Sequence, residues 1–326
     1  MKPAESDFSS LSPDSVIQIV EQALGKRSTR FCLPMASYIN RVYEIECEDK
    51  TRVVAKFYRP GRWSREALAD EQDFLFELEQ AEVSVITPLR MADGKTLEEY
   101  QGIYFAVFPK KGGRKLEEPR TDDEWLALGR LIARIHLVGA KHGVRDRVLF
   151  TPKSYTEKNL EGLKESGFLP PDLGRQYDEI VRDIIRMSEP LFQNAEKIRI
   201  HGDCHRGNLL YGAVGFWVID FDDMAVGAPM QDLWMLLPGR LQDSRREMNL
   251  LAEGYETFRP FDRENLKMIE PLRAMRFLHY AAWCSRQAAD ASFRKHFPEW
   301  GSRAYWIKEI SDLHEHREII IQSLQG

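Results

Sequence analysis

The chain has 326 residues, 43% of them apolar and 30% charged, enough for one large domain or two lobes of an ordinary soluble protein. A net charge of −5 leaves no basic field to grip nucleic acid or an anionic membrane. Cys32, Cys47, Cys204 and Cys284 lie far apart with no CxxC pair, which argues against a zinc site or a disulfide framework, and no apolar run approaches the ~20 residues of a membrane span. Residues 1–12 are polar and carry acids, unlike a signal peptide, so the expectation is a soluble cytoplasmic protein.

In chain order, Ser12-Pro13-Asp14 opens a helix with Val16, Ile17, Val20 and Leu24 on its apolar face and Gly25 as its stop. Residues 31–58 read as a β-hairpin: Val42, Tyr43 and Ile45 lead to a turn at 48–50 and then to Arg52–Tyr58. Lys56 sits inside that apolar strand, either on a solvated face or aimed into a cleft. Ser64 caps a helix running to about Gln80. Strands are expected at 83–89 and 103–108, with Asp93-Gly94 as a turn between them. The polar, glycine-bearing stretch 109–114 reads as a hinge.

Beyond it the signal is helical. Trp125, Leu128, Leu131, Ile132 and Ile135 repeat at helical spacing up to His136. Residues 140–175 have weak periodicity and read as loop with short helix, and a helix follows over about 176–187. Further helices are predicted from 231 to 237 and over about 243–257, 268–289 and 302–323. The elements add up to an α+β chain with a β-rich N-terminal lobe, 1–110, and a mainly helical C-terminal lobe, 111–326.

Between the helices lies His201-Gly202-Asp203-Cys204-His205-Arg206-Gly207-Asn208, then an apolar strand that ends at Asp220, 12 residues after Asn208. Phosphoryl transfer needs phosphates held by cations, metal ions across them and a group that orients the nucleophile. Asp203 is the candidate base, because a carboxylate accepts a hydroxyl proton. Asn208 and Asp220 offer amide and carboxylate oxygens to Mg²⁺, a hard cation that keeps several waters. Taken singly, each of these residues reads as a turn cap, and Asp220, Asp222 and Asp223 as a solvated acidic turn; the spacing of the full pattern favours the catalytic reading. His201 and His205 lack a third nitrogen or sulfur ligand and are expected to hold the loop backbone. Cys204 is expected to be a buried filler.

These motifs resemble the aminoglycoside-phosphotransferase-like kinase superfamily, with its bilobal, protein-kinase-like fold. The resemblance implies that Lys56 contacts the ATP phosphates and that Glu71 is its ion-pair partner. It places Phe108, Pro109 and Lys110 at an adenine-binding hinge; proline has no N–H, so Phe108 or Lys110 must donate. It makes Asp232 a brace for the catalytic loop. The first hairpin lacks a glycine-rich phosphate loop, with no glycine between Phe31 and Val54. Its turn is expected at 37–41. Arg206 is expected either to meet the γ-phosphate or to face solvent.

The motifs at 37–43, 56–60, 104–109, 201–208, 231–237 and 270–276 are similar to those of the superfamily's bacterial stress-response serine/threonine protein kinases and span nearly the whole chain. That similarity implies a cytoplasmic monomer that uses ATP and Mg²⁺, phosphorylates Ser or Thr of a protein substrate and opposes stress-induced cell death. Asp203 and Asp220 would be catalytic, Asn208 and Asp220 would hold metal, and Ser37 would sit near ATP. The alternatives are a small-molecule kinase acting on an aminoglycoside, choline, homoserine or sugar hydroxyl, for which Glu253, Glu256, Asp262, Glu264 and Glu270 either line a pocket or, as the default, form solvated helix faces, and a non-catalytic nucleotide-binding regulator. Arg273 and Arg276 could bind a phosphorylated group or pair internally with nearby acids, and the pairing is the favoured expectation.

Overall fold

The computed structural model describes residues 8, 10–37, 39–116, 118–212, 215–288 and 291–325. Two compact units emerge. One combines Met1–Thr121, Leu137–Arg147 and His205–Met224; the other combines Asp122–His136, Val148–Cys204 and Ala225–Gly326. The chain therefore passes between units several times, and the crossing at Cys204–His205 falls inside the conspicuous motif.

The first unit is mostly antiparallel sheet. Helix α1 (Pro13–Leu24) is capped by Ser12, whose side chain accepts from the Ser15 N–H, and ends at Gly25 with φ +63°. Strands β1 (Ser28–Met35), β2 (Arg41–Cys47) and β3 (Arg52–Phe57) follow. Then come α2 (Arg65–Gln80, capped by Ser64), β4 (Glu98–Tyr100), β5 (Ile103–Pro109) and β6 (Arg114–Lys115). The main sheet runs β1-β2-β3-β5-β4. Period-2 alternation divides its residues between two faces. Val53, Ala55 and Phe57 pack with Val16 and Val20 of α1, while Ala106 packs with Tyr58 and Leu68 of the α2 region.

The expected strand at 83–89 does not form. Val85 makes a single parallel bridge to Val218, and the Leu89 N–H reaches the Val107 carbonyl at 2.7 Å. Pro88 has no N–H, which is inconsistent with a continuous ladder through this segment. The Asp93-Gly94 turn does form, with Asp93 accepting from the Lys95 N–H at 3.0 Å.

The second unit is mainly helical. It contains α3 (Asp122–Gly139, whose last turn passes into the first unit), β7 (Leu149–Phe150), α4 (Glu157–Glu165), α5 (Pro171–Asn194) and β8 (Ile198–Ile200). The chain then returns to the first unit as a hairpin, β9 (Leu209–Gly212) and β10 (Gly215–Val218), which joins β6 in a three-stranded sheet. Strand β11 (Ala225–Gly227) pairs with β7 and β8. The remaining helices are α6 (Met230–Trp234), α7 (Arg245–Glu256), α8 (Ile269–Gln287), α9 (Ala291–His296) and α10 (Arg303–Gln325).

Helix α5 is about twice the length expected, because the stripe Tyr177, Ile180, Val181, Ile184, Ser188 and Phe192 stays buried straight through Pro190. Helix α6 is shorter than expected and stops at Trp234. The helical core gathers Leu160, Tyr177, Ile184, Leu278, Trp306 and Leu313. Helices α3 and α7 meet at two glycines. A Cβ on Gly129 would stand 2.2 Å from the Leu251 carbonyl oxygen, and one on Gly254 would stand 2.1 Å from that of Leu126, so only glycine permits this approach.

Candidate active site

In the first unit, Lys56 lies between Ala55 and Phe57, whose side chains go to the α1 core, so it points to the opposite face of β3. It is buried, not solvated. Its Nζ stands 2.8 Å from Asp220 Oδ1, 3.5 Å from Asp222 Oδ1 and 3.9 Å from Glu71 Oε1. Burial alone would lower the Lys56 pKa, but these three carboxylates outweigh it and hold the ammonium charged. Glu71 is therefore at the far edge of the Lys56 shell, and its shorter contact is with Arg147 Nη2 at 3.2 Å.

Arg147 is buried and spans α2 and the 220s turn. It donates to the Ala67 carbonyl at 2.7 Å and to the Asp222 carbonyl at 2.7 Å. Asp222, read from sequence as part of a solvated turn, is instead buried. It pairs with Arg62 and accepts from Asn40 Nδ2 at 3.2 Å. Burial pushes its carboxyl up, but Arg62, Lys56 and Arg147 overcome that and hold it at about 2.

Asn208 and Asp220 meet at the mouth of one hairpin. Leu209 pairs with Val218, and the Ile219 N–H donates to the Asn208 carbonyl at 3.0 Å. Asp220 has φ +65°, a left-handed conformation rare outside glycine, and its side chain is 51% exposed. An accessible carboxylate and an amide at the two ends of one hairpin carry oxygens of the kind magnesium takes. Among the described residues no group of three or more His, Cys, Asp or Glu side chains is placed to hold a metal, so a cation here would need further ligands from phosphate and water.

Ser37 is half-buried in the β1–β2 turn, next to Tyr38, which lies outside the described residues. Asn40 ties this turn to the charge cluster: besides its bond to Asp222, its Oδ1 accepts from the Arg59 N–H at 3.1 Å. The hinge expectation is corrected for Lys110, whose N–H donates to the Arg52 carbonyl at 2.9 Å and whose Nζ pairs with Glu44 at 2.8 Å. Strand parity turns the Phe108 N–H toward Val54 in the same ladder, so neither residue offers adenine a backbone donor. Arg206 pairs with Glu118 at 3.1 Å.

In the second unit, the stretch before the crossing is held by Asp232. This fully buried carboxylate accepts from the His201 N–H at 2.7 Å and the Gly202 N–H at 2.9 Å. His136 Nε2 lies 3.0 Å from its Oδ2, and His136 Nδ1 lies 3.0 Å from the Tyr255 hydroxyl. Gln231 adds a bond to the Gly202 carbonyl at 2.8 Å. His201 Nδ1 accepts from the Asp203 N–H at 3.3 Å, and His205 Nδ1 accepts from the Gly207 N–H at 2.9 Å. Both imidazoles thus bind backbone, as their spacing suggested. Cys204 is fully buried, and burial pushes its thiol well up.

Asp203 itself is partly exposed and meets Arg276 of α8, with Nη1 2.6 Å from its Oδ1. Arg273 turns to Glu270 at 3.6 Å and to the Gly239 carbonyl at 3.1 Å. The acids named as pocket candidates are exposed or already paired. Glu253, Glu256 and Glu264 are exposed, Asp262 caps the turn after it, and Glu270 is paired with Arg240 at 3.3 Å.

Sequence reasoning missed Asp222, Arg147, Arg62, Asn40 and His136. For His136 the signal was present: a polar residue closing an otherwise apolar helical repeat. For the others no local pattern marks a partner dozens of residues away.

Comparison with known proteins bears on the family and the fold. Residues 32–269 match the phosphotransferase enzyme family. Stress response kinase A of Escherichia coli K12 is 35% identical over 314 residues, covering 96% of this chain and 94% of that protein. The serine/threonine protein kinase RdoA of Salmonella typhimurium LT2 is 34% identical over 315 residues, with the same coverage. Among solved structures, amicoumacin kinase hAmiN in complex with AMP-PNP, Ca²⁺ and Ami shares the fold at TM-score 0.72 and 21% identity, covering 95% of this chain and 93% of that one. A microcompartment-associated aminopropanol kinase does so at TM-score 0.68 and 18% identity, covering 96% and 98%. The extent of the family match and of the 35% identity makes the conclusion plain: the chain belongs to the phosphotransferase enzyme family.

Proposed function

We propose that this phosphotransferase is a cytoplasmic, ATP- and Mg²⁺-dependent serine/threonine protein kinase acting in stress response. The observation that carries the reading is the Lys56 ammonium 2.8 Å from Asp220, at the hairpin mouth that also bears Asn208. Lys56 binds phosphate oxygens, and Asn208 and Asp220 hold the metal. Magnesium supplies charge neutralisation across the phosphates. Asp203 accepts the proton of the acceptor hydroxyl, and Asp232 and His201 hold the Asp203 loop by its backbone. Glu71 and Arg147 support the Lys56 side of the cluster. The relative named serine/threonine protein kinase RdoA, at 34% identity, supports the protein acceptor, and stress response kinase A, at 35% identity, supports the role in stress response.

The test uses labelled ATP with a panel of protein acceptors and a panel of metabolite hydroxyls. Wild type is expected to label protein. Asp203→Asn is expected to lose transfer by at least about 100-fold while retaining Mg·ATP binding. Transfer persisting in that variant removes Asp203 as the base, and label found only on a metabolite overturns the protein-kinase reading.

A further inference from the structure

We propose that Arg276 selects the acceptor: it reads an acidic side chain beside the hydroxyl that Asp203 deprotonates, so that the substrate segment is a serine or threonine flanked by Asp or Glu. The proposal rests on Asp203 being the base.

Three observations carry it. First, Arg276 pairs with Asp203, 2.6 Å away, and both side chains are accessible, at 40% and 27%. Any acceptor that brings a hydroxyl to this carboxylate approaches a guanidinium with it. Second, Arg276 is used on one corner only. Its Nη1 meets Asp203 Oδ1 and, at 3.8 Å, Met235 Sδ. Among the described residues its Nε and Nη2 make no hydrogen bond or ion pair. That edge of the planar fork matches a carboxylate in two-point geometry. Third, the adjacent charges do not neutralise it. Glu270, the acid on α8 two turns back, is taken up by Arg240 and Arg273. Arg273 in turn lies over Trp234 at 4.8 Å, so it stays on the core side of α8. The carboxylate left to Arg276 is the base itself.

This arrangement has a chemical consequence. While Arg276 donates to Asp203, it competes with the acceptor hydroxyl for the same oxygen. An acidic neighbour in the acceptor takes the guanidinium edge and draws that charge toward itself, and the hydroxyl then faces a freer carboxylate. A basic neighbour, or a cationic small molecule, meets like charge instead. One turn further along α8, His279 stacks on Tyr155 at 5.1 Å, with Tyr280 exposed beside it, a surface suited to the flanking chain of a peptide.

The experiment compares three peptides that share one serine and differ in flanking Asp/Glu, Ala or Arg, with wild type, Arg276→Ala and Arg276→Lys. Wild type is expected to favour the acidic peptide over the neutral one by about tenfold in kcat/KM, mainly through KM, since one charge-assisted contact is at stake. Arg276→Ala is expected to bring that ratio to about one, and Arg276→Lys to fall between, because an ammonium keeps the charge without the fork. AMP-PNP affinity is expected to be the same in all three proteins. A second readout does not depend on turnover: binding of a fluorescent acidic peptide with Ala in place of its serine is expected to weaken about tenfold in Arg276→Ala. Equal peptide affinity in wild type and Arg276→Ala, or a wild-type preference for the Arg-flanked peptide, overturns the proposal. Persistent transfer by Asp203→Asn would instead break the assignment of the base, a separate result from the Arg276-dependence of peptide binding.

Discussion

The motif from Ile200 to Asp223 is held by two different kinds of physics on either side of the Cys204–His205 crossing. Before it, one buried carboxylate, Asp232, takes two backbone N–H groups and an imidazole. After it, Lys56, Arg62 and Arg147 surround Asp220, Asp222 and Glu71 in a mesh of side-chain ions. Backbone donors have no rotamers, so the first arrangement fixes a loop with little freedom. Long ionic side chains reorganise, so the second can exchange one partner for another, as Lys56 would on moving from Asp220 to a phosphate. The helical side holds its loop by the backbone, and the sheet side is a cluster of ionic side chains whose partners can exchange.

Removing a charge from each side tests this contrast. Asp222→Asn carries the largest expected effect. It leaves Arg62, Lys56 and Arg147 facing a neutral group in a buried site, and should cost about 3–5 kcal/mol in urea unfolding. The loss should narrow as pH drops. Asp222 is held at about 2 in the folded state against 3.8 unfolded, so its stabilisation is complete above 3.8 and fades as pH falls through about 2.

Asp232→Asn should cost less, about 2 kcal/mol, because an amide oxygen still accepts one backbone bond. It should lower kcat by about tenfold or more while leaving nucleotide affinity in place, measured by single-turnover transfer and AMP-PNP titration. The reverse pattern, with Asp232→Asn weakening nucleotide and Asp222→Asn sparing it, would break the comparison.

Gly254→Ala addresses how the helical side stays rigid. Its Cβ would collide with the Leu126 carbonyl and push α7 from α3. That displacement would pull Tyr255 from His136. A loss of about 2 kcal/mol is expected, with a fall in kcat that parallels Asp232→Asn.

The smallest effect comes from α10, remote in sequence from both arrangements. Burial, with Asp312 nearby, raises Glu309 from 4.5 to about 7, so its contribution to stability falls as pH rises between those values. Burial, with Arg240 and Arg273, lowers His316 from 6.5 to about 4, so its contribution falls as pH drops between those values. The two trends oppose each other. Glu309→Gln should remove the first and leave stability rising by roughly 1–2 kcal/mol from pH 4.5 to 7, read from melting curves.

Local order was legible wherever the signal was local. Ser12 and Ser64 as caps, Gly25 as a stop, the helical repeat ending at His136 and the spacing from Asp203 to Asp220 are written in adjacent residues, and the structure keeps the caps, the stop and the helix. The sequence by itself thus determined the α+β plan, the phosphotransferase motif and the identity of its candidate base and metal donors, because periodicity, capping and motif spacing all operate within about a dozen residues.

Tertiary structure alone decided the partners. It made Asp222 a buried hub instead of a solvated turn residue, gave Glu71 to Arg147 ahead of Lys56, spent the Lys110 N–H on Arg52, and set Arg276 against Asp203. Each of these joins residues tens to more than a hundred positions apart. Which charges meet across such distances depends on how strands and helices pack, and no local pattern in the chain encodes it.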